Sequence, residues 1–190
     1  MGESYLQQVR AESQIRLAAL NGELSSAREI IGGEGTIFAT GSYGRLEASP
    51  ESDLDVFIVV RSKEKGDPPI RVPRLDRVRQ IRFKSELIVA AKKAGMAEFD
   101  AGGKFLDTHL YEDIVEETGS PSDDFKNTFT GRILLILESR SLIGDDTYYD
   151  LKNDSIAWYF RDFEGNESDF VPYFLLNDIL RMWRTFCVNY

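Results

Sequence analysis

Gly41-Ser42-Tyr43-Gly44-Arg45-Leu46-Glu47-Ala48-Ser49-Pro50-Glu51-Ser52-Asp53-Leu54-Asp55-Val56-Phe57-Ile58-Val59-Val60 reads as a sharp turn, a short helix and a strand. Just before it, Thr36-Ile37-Phe38-Ala39-Thr40 is rich in strand formers and runs into the glycine. Leu54 to Val60 is again a strand pattern, but its start carries two aspartates. Successive strand side chains point to opposite faces, so Asp53 and Asp55 share a face, with Cα atoms about 6.6 Å apart. Val56, Ile58 and Val60 take the other face. Two like charges at that spacing repel by roughly 3 kcal/mol at an effective dielectric near 20. A divalent cation is the usual compensation, and Mg²⁺ commonly takes one or two carboxylates plus substrate phosphates. The Gly41-Ser42 turn supplies the other half. Glycine lets the backbone approach a ligand closely, and free amides there suit an anion.

Gly-Ser followed by Asp-x-Asp on the next strand resembles the nucleotidyltransferase superfamily of DNA polymerase β. The finer pattern Gly-Ser-Tyr-Gly-Arg-x-Glu-x-Ser-Pro-x-Ser-Asp-Leu-Asp resembles the bacterial branch that contains the nitrogen-regulatory uridylyltransferases. The resemblance implies an α+β fold: a polymerase β-like core, with a short mixed sheet flanked by helices, followed by a C-terminal helical region. It implies nucleotidyl transfer from a nucleoside triphosphate, ATP among the candidates, with Mg²⁺ (or Mn²⁺) as cofactor. Asp53 and Asp55 would bind the metal, and Gly41 and Ser42 would hold the phosphates. Arg45 would pair with a phosphate, or fasten the short helix to Glu47 or Asp53. A third carboxylate on a following strand is also implied. Asp107, in a strand expected over Lys104-Phe105-Leu106-Asp107-Thr108, is the first candidate for a catalytic and metal-binding role, and Asp100 is the second.

Composition narrows the acceptor. The 190 residues carry 23 Lys+Arg against 32 Asp+Glu, a formal charge of −9. Broad binding to nucleic acid rests on Lys and Arg meeting phosphates, so a template-copying enzyme is disfavoured. A protein or small-molecule hydroxyl fits better. Cys187 is the sole cysteine and His109 the sole histidine, which excludes an internal disulfide and any Cys- or His-cluster metal site. His109 is read as a structural residue at a strand end. No signal-peptide pattern and no membrane-length apolar run is present, so the expected location is the cytoplasm. The oligomeric state is left open.

Outward from the motif, helical spacing predicts one long helix over residues 3–31, stopped by Gly32-Gly33. Ser62 to Pro73 is polar, with Gly66, Pro68 and Pro69, and reads as a loop. A basic helix follows from Arg74 to Ala94. Its cations are read as a solvated face, with contact to a triphosphate as the alternative. Tyr111 to Glu117 is a short acidic helix. Gly119-Ser120-Pro121-Ser122 is the expected boundary between a core, 1–119, and a helical region, 120–190. That region is expected to hold helices to about Ser141, over 147–163 and from Phe170 to Tyr190. The segment Asn127 to Ser139 is similar to the helical domain that follows the catalytic core in the uridylyltransferase-like branch. The aromatic stripe of the last helix (Ile179, Leu180, Trp183, Phe186) reads as core. So apolar an ending suggests a chain that continues past residue 190 or packs on a partner.

Two other functions fit the same residues. One is a non-catalytic, nucleotide-binding regulatory protein. The other is an antitoxin-like minimal nucleotidyltransferase acting on a partner protein.

Overall fold

The computed structural model describes residues 4–99 and 106–189. Asp100, Lys104 and Phe105 therefore lie outside the described residues. The centre is a four-stranded mixed sheet built from β1 (Gly35–Ala39), β2 (Val56–Val60), β5 (Thr108–Leu110) and β6 (Arg140–Ile143), in the order β5-β2-β1-β6. β1 runs antiparallel to β2 and β6, and β2 runs parallel to β5. This is the short mixed sheet flanked by helices that the motif implies.

Both faces of the sheet are covered, which is why β1 and β2 are buried along their whole length. Ile37, Ala39, Val56, Ile58 and Val60 point into one core with α1 (Tyr5–Glu23), α2 (Ser25–Ile31) and α4 (Arg77–Lys93). The alternate residues Phe38, Phe57 and Val59 point into a second core. It is closed by α5 (Tyr111–Glu116), α7 (Thr128–Glu138) and α8 (Asp145–Tyr159). The period-2 alternation thus distributes each strand between two helical layers.

Local chemistry shifts several expected boundaries. The single helix over 3–31 is two, because the chain turns at Leu24, which is fully buried. Arg28 caps the first of them, donating to the Asn21 backbone oxygen at 3.1 Å and to its side-chain oxygen at 2.8 Å. The segment expected as a loop over Ser62 to Pro73 is a hairpin of β3 (Ser62–Lys65) and β4 (Ile70–Pro73). Its strands carry exposed charges on both faces, so the apolar alternation that marks a strand is absent. The basic helix starts at Arg77 rather than Arg74, because Asp76 caps it through Arg79 N–H at 2.9 Å. Arg74 instead donates to Ser62 O at 2.8 Å.

Beyond residue 120 the chain is not purely helical. After α6 (Ser122–Phe125) and α7, β6 returns to the sheet and pairs with β1. α9 (Tyr173–Asn189) is fastened by a buried ion cluster. Arg132, fully buried on α7, donates to Asp123 and Asp178 at 2.8 Å each and to the Tyr159 hydroxyl at 2.8 Å. Arg181 adds bonds to Asp123 and Asp178. The aromatic stripe of α9 is not core: Leu180 is 68% and Trp183 64% exposed. The helix docks through its charges and leaves that stripe outward. Among the described residues, no helix is long and apolar enough to cross a membrane.

Candidate active site

β1 ends at Ala39, and the chain turns at Gly41 into α3 (Gly41–Arg45). Gly41 has φ +60°, a left-handed conformation that favours glycine. Its lack of a side chain serves a second need, since a Cβ there would stand 2.7 Å from Asp55 Oδ2. Gly44, one turn on, is required for a different reason. A Cβ on it would collide with the backbone carbonyl oxygen of Glu138, so α3 lies directly against the C-terminal end of α7. The loop after α3 is gripped from α1. Ser13 Oγ accepts from Ala48 N–H at 2.9 Å, and Arg16 donates to Ala48 O at 3.0 Å.

Asp53 and Asp55 lie in the extended run that leads into β2, just before the strand itself. Thr40 N–H donates to Asp55 O at 2.9 Å, which carries the β1–β2 pairing up to the turn. Asp53 is exposed and Asp55 half-buried. Asp55 and Phe57 line a cleft of about 370 Å³, whereas Asp53 is not part of its lining and acts on Asp55 through its charge. The cleft is walled by Thr40, Gly41, Asp55 and Phe57 on the sheet side, by His109 from β5, and by Asn127, Thr130, Leu134 and Glu138 along α7. Burial pushes the Asp55 carboxyl above its ordinary range. The charges of Asp53 and Glu138 push the same way, and Arg45 offsets them in part.

Glu138 is the residue that the sequence did not single out. Its Oε1 accepts from Gly41 N–H at 3.1 Å, and its Oε2 accepts from Arg45 at 2.6 Å. Arg45 also donates to Glu47 at 2.8 Å. Of the two roles open to Arg45, the coordinates display the fastening one, with Glu138 as a further partner. The Ser42 hydroxyl has no hydrogen bond among the described residues. Glu138 lies within the Asn127–Ser139 segment, but only the packing of α7 on α3 reveals that it meets Gly41.

Asp107 stands exposed, immediately before β5. Its charge acts on Lys84 and on His109, whereas Asp55 feels Asp53, Glu138 and Arg45. His109, read as a structural residue at a strand end, is the middle residue of β5. Its ring packs 5.5 Å from that of Phe57. Burial lowers its pKa and keeps the ring neutral, against the pull of Asp107 and Asp113 and a hydrogen bond to the Lys126 backbone. Part of the basic stretch is bonded within the protein, while Arg77 and Arg82 stand exposed. Arg71 pairs with Glu116 at 2.5 Å, Arg79 donates to Ile30 O at 2.6 Å, and none of its cations lines the cleft.

Residues 22–120 match the family model of the nucleotidyltransferase domain. The chain belongs to that family. No curated protein matches it. The nucleotidyltransferase domain so defined contains the Gly41 turn, both aspartates and β5, and it supports nucleotidyl transfer from a nucleoside triphosphate as the general activity. The match ends before α7 and β6, so Glu138 and the α7 wall of the cleft come from outside the matched segment.

The donor set around the nucleotidyltransferase turn suits a hard cation. Asp53 and Asp55 supply oxygens only, and Asp55 carries excess negative field. Among the described residues, no three His, Cys, Asp or Glu side chains are grouped to hold an ion together. Two carboxylates plus substrate phosphates make a usual Mg²⁺ set, so the fit requires the nucleotide as co-ligand.

Proposed function

We propose that this protein transfers a nucleoside monophosphate from a nucleoside triphosphate to a hydroxyl of a protein or small molecule, in Mg²⁺-dependent chemistry. The observation that carries the reading is the Asp55 carboxylate set against Gly41 at the wall of a cleft, with the charge of Asp53 acting on it from two residues away. Asp53 and Asp55 would hold Mg²⁺. When bound, it would neutralise charge on the polyphosphate and align the attacking hydroxyl with the leaving pyrophosphate. The Gly41 amide and Ser42 hydroxyl would hold the non-transferred phosphates. Arg45, bonded here to Glu138 and Glu47, is the proposed partner of one of them. Asp107 remains the proposed third carboxylate, and the proposed location is the cytoplasm. The charge of −9 favours a protein or metabolite acceptor over a nucleic acid. The resemblance to uridylyltransferases favours a protein target.

One observation favours a second reading, a nucleotide-binding regulator without transfer. Glu138 occupies the Gly41 amide, and Asp107 acts on groups other than Asp55. An antitoxin-like enzyme acting on one partner is the narrower form of the first reading. The decisive experiment incubates the protein, Mg²⁺ and each α-labelled triphosphate with a cell extract, beside the double variant Asp53→Asn, Asp55→Asn. Label moved to an acceptor by the wild type alone supports transfer and reveals the acceptor class. Binding of the triphosphate with no transfer under any condition supports the regulator.

A further inference from the structure

The two ends of the cleft differ in chemistry. One end is ionic, with Asp55, Glu138 and the Gly41 amide. The other, formed by Asn127, Thr130, Leu134 and Phe57, carries no charge. Asn127, Thr130, Leu134 and Glu138 follow one another at intervals of three, four and four residues, so they form a single stripe of α7 facing the sheet. At about 1.5 Å rise per residue, the stripe runs roughly 16 Å, on the scale of an extended nucleoside triphosphate.

Neither polar side chain at the uncharged end makes a hydrogen bond among the described residues; Asn127 is exposed and Thr130 half-buried. Asn127 sits at the N-cap of α7 with φ +58°, a position where its side chain commonly caps the helix. It makes no capping bond here. Some helical hydroxyls of this chain bond back to the preceding turn, as Ser13 does to Val9 O, Ser139 to Leu135 O and Thr185 to Arg181 O, while the buried Ser155 hydroxyl does not. The hydroxyl of Thr130 makes no hydrogen bond among the described residues. Beside these two lie the apolar body of Leu134 and the edge of Phe57, with the His109 ring at the back. A few polar groups set into an apolar wall are the features of a small-molecule seat. They suit a planar, weakly polar ring better than a second anion, for which this end offers no cation.

We infer that Asn127, Thr130 and Leu134 of α7, backed by His109, seat the nucleoside of the triphosphate, with the base at the Asn127 end. The inference rests on the nucleotidyl-transfer reading and adds the orientation of the substrate and the side chains that choose it. A hydroxyl and a carboxamide aimed at a base discriminate strongly, because a wrong base leaves them buried and unpaired.

The test compares Mg²⁺-tripolyphosphate with the Mg²⁺ complexes of ATP, GTP, CTP and UTP by titration calorimetry. In the wild type, at least one nucleotide should bind about tenfold or more tighter than tripolyphosphate. Leu134→Trp, which fills the middle of the stripe, should erase that advantage and leave tripolyphosphate affinity within about twofold. The milder Asn127→Ala, Thr130→Val pair covers the case in which the tryptophan disturbs folding. It should flatten the preference among the four bases without loss of melting temperature. If the wild type binds neither tripolyphosphate nor any nucleotide, the nucleotidyl-transfer reading itself falls. If it binds them equally, or if the variants keep the nucleotide advantage, transfer stands and the nucleoside lies elsewhere. Loss of transfer with nucleotide affinity unchanged would assign this space to the acceptor and overturn the inference.

Discussion

At the residue scale, Asp55 is held in a poor environment for a charge. Burial, Asp53 and Glu138 all raise its pKa. A carboxyl whose folded pKa is raised contributes stability below its ordinary pKa and loses it as pH climbs through the raised value. Asp55→Asn removes that loss. We expect the variant to melt roughly 2 °C above the wild type at neutral pH without divalent ions, with the gain fading as the buffer approaches pH 4. Thermal melts across pH check this, and a variant that melts lower at pH 7 would contradict it. His109 responds with the opposite sign. Its folded pKa lies below the ordinary value, so acidification through the ordinary range costs stability. As the single histidine, it gives one imidazole signal in an NMR titration, whose midpoint should fall below about 6.5. The meeting of Gly41 with Asp55, and the nearby charge of Asp53, were legible in the sequence because they are local: a turn and the run into the next strand. Glu138 was not, since nothing near it in the chain says that α7 ends over Gly41.

At the scale of elements, the contact of α3 with α7 tolerates no side chain at Gly44. Gly44→Ala should destabilise by about 1–3 kcal/mol, and also weaken triphosphate binding because it shifts the Gly41 turn. Denaturant melts and calorimetry on one sample report both. The cluster that docks α9 is the other fixed joint. Arg132→Met would leave the buried Asp123 and Asp178 with Arg181 but without their fully buried cation, and should cost about 3–5 kcal/mol. Burial raises the Asp123 carboxyl, but bonds from Arg132 and Thr128 outweigh it and hold the group below its usual range. Its stabilisation is therefore present above that range and fails as pH falls through it, so α9 should be among the first elements released in acid. Hydrogen exchange near pH 3 compared with pH 7 tests the order. Sequence reasoning found the long, periodic helices and missed the hairpin and β6. A four-residue strand with charged or mixed faces carries no period, and only its partner strand defines it.

At the scale of the whole molecule, the Gly41–Asp55 motif and the wall opposite it come from different parts of the chain. The sequence places an expected boundary near Gly119, where turn residues gather. Packing does not respect that point: α7 closes the cleft over Asp55, and β6 lies along β1. Trp183→Lys, by contrast, alters an outward position on α9 and should leave the melting temperature within about 1–2 °C of the wild type. A larger fall would place that ring in the core after all.

The pairing of β6 with β1 has a practical outcome for anyone who cuts the gene where the family likeness stops. A protein ending at Ser120 would keep β1 with one flank stripped of its hydrogen-bonding neighbour, a raw row of amides and carbonyls beside apolar side chains. Such a fragment should clump rather than stay monomeric, while one carried on through Tyr159, which restores β6 and keeps α8 over the second core, should remain dispersed at the same concentration.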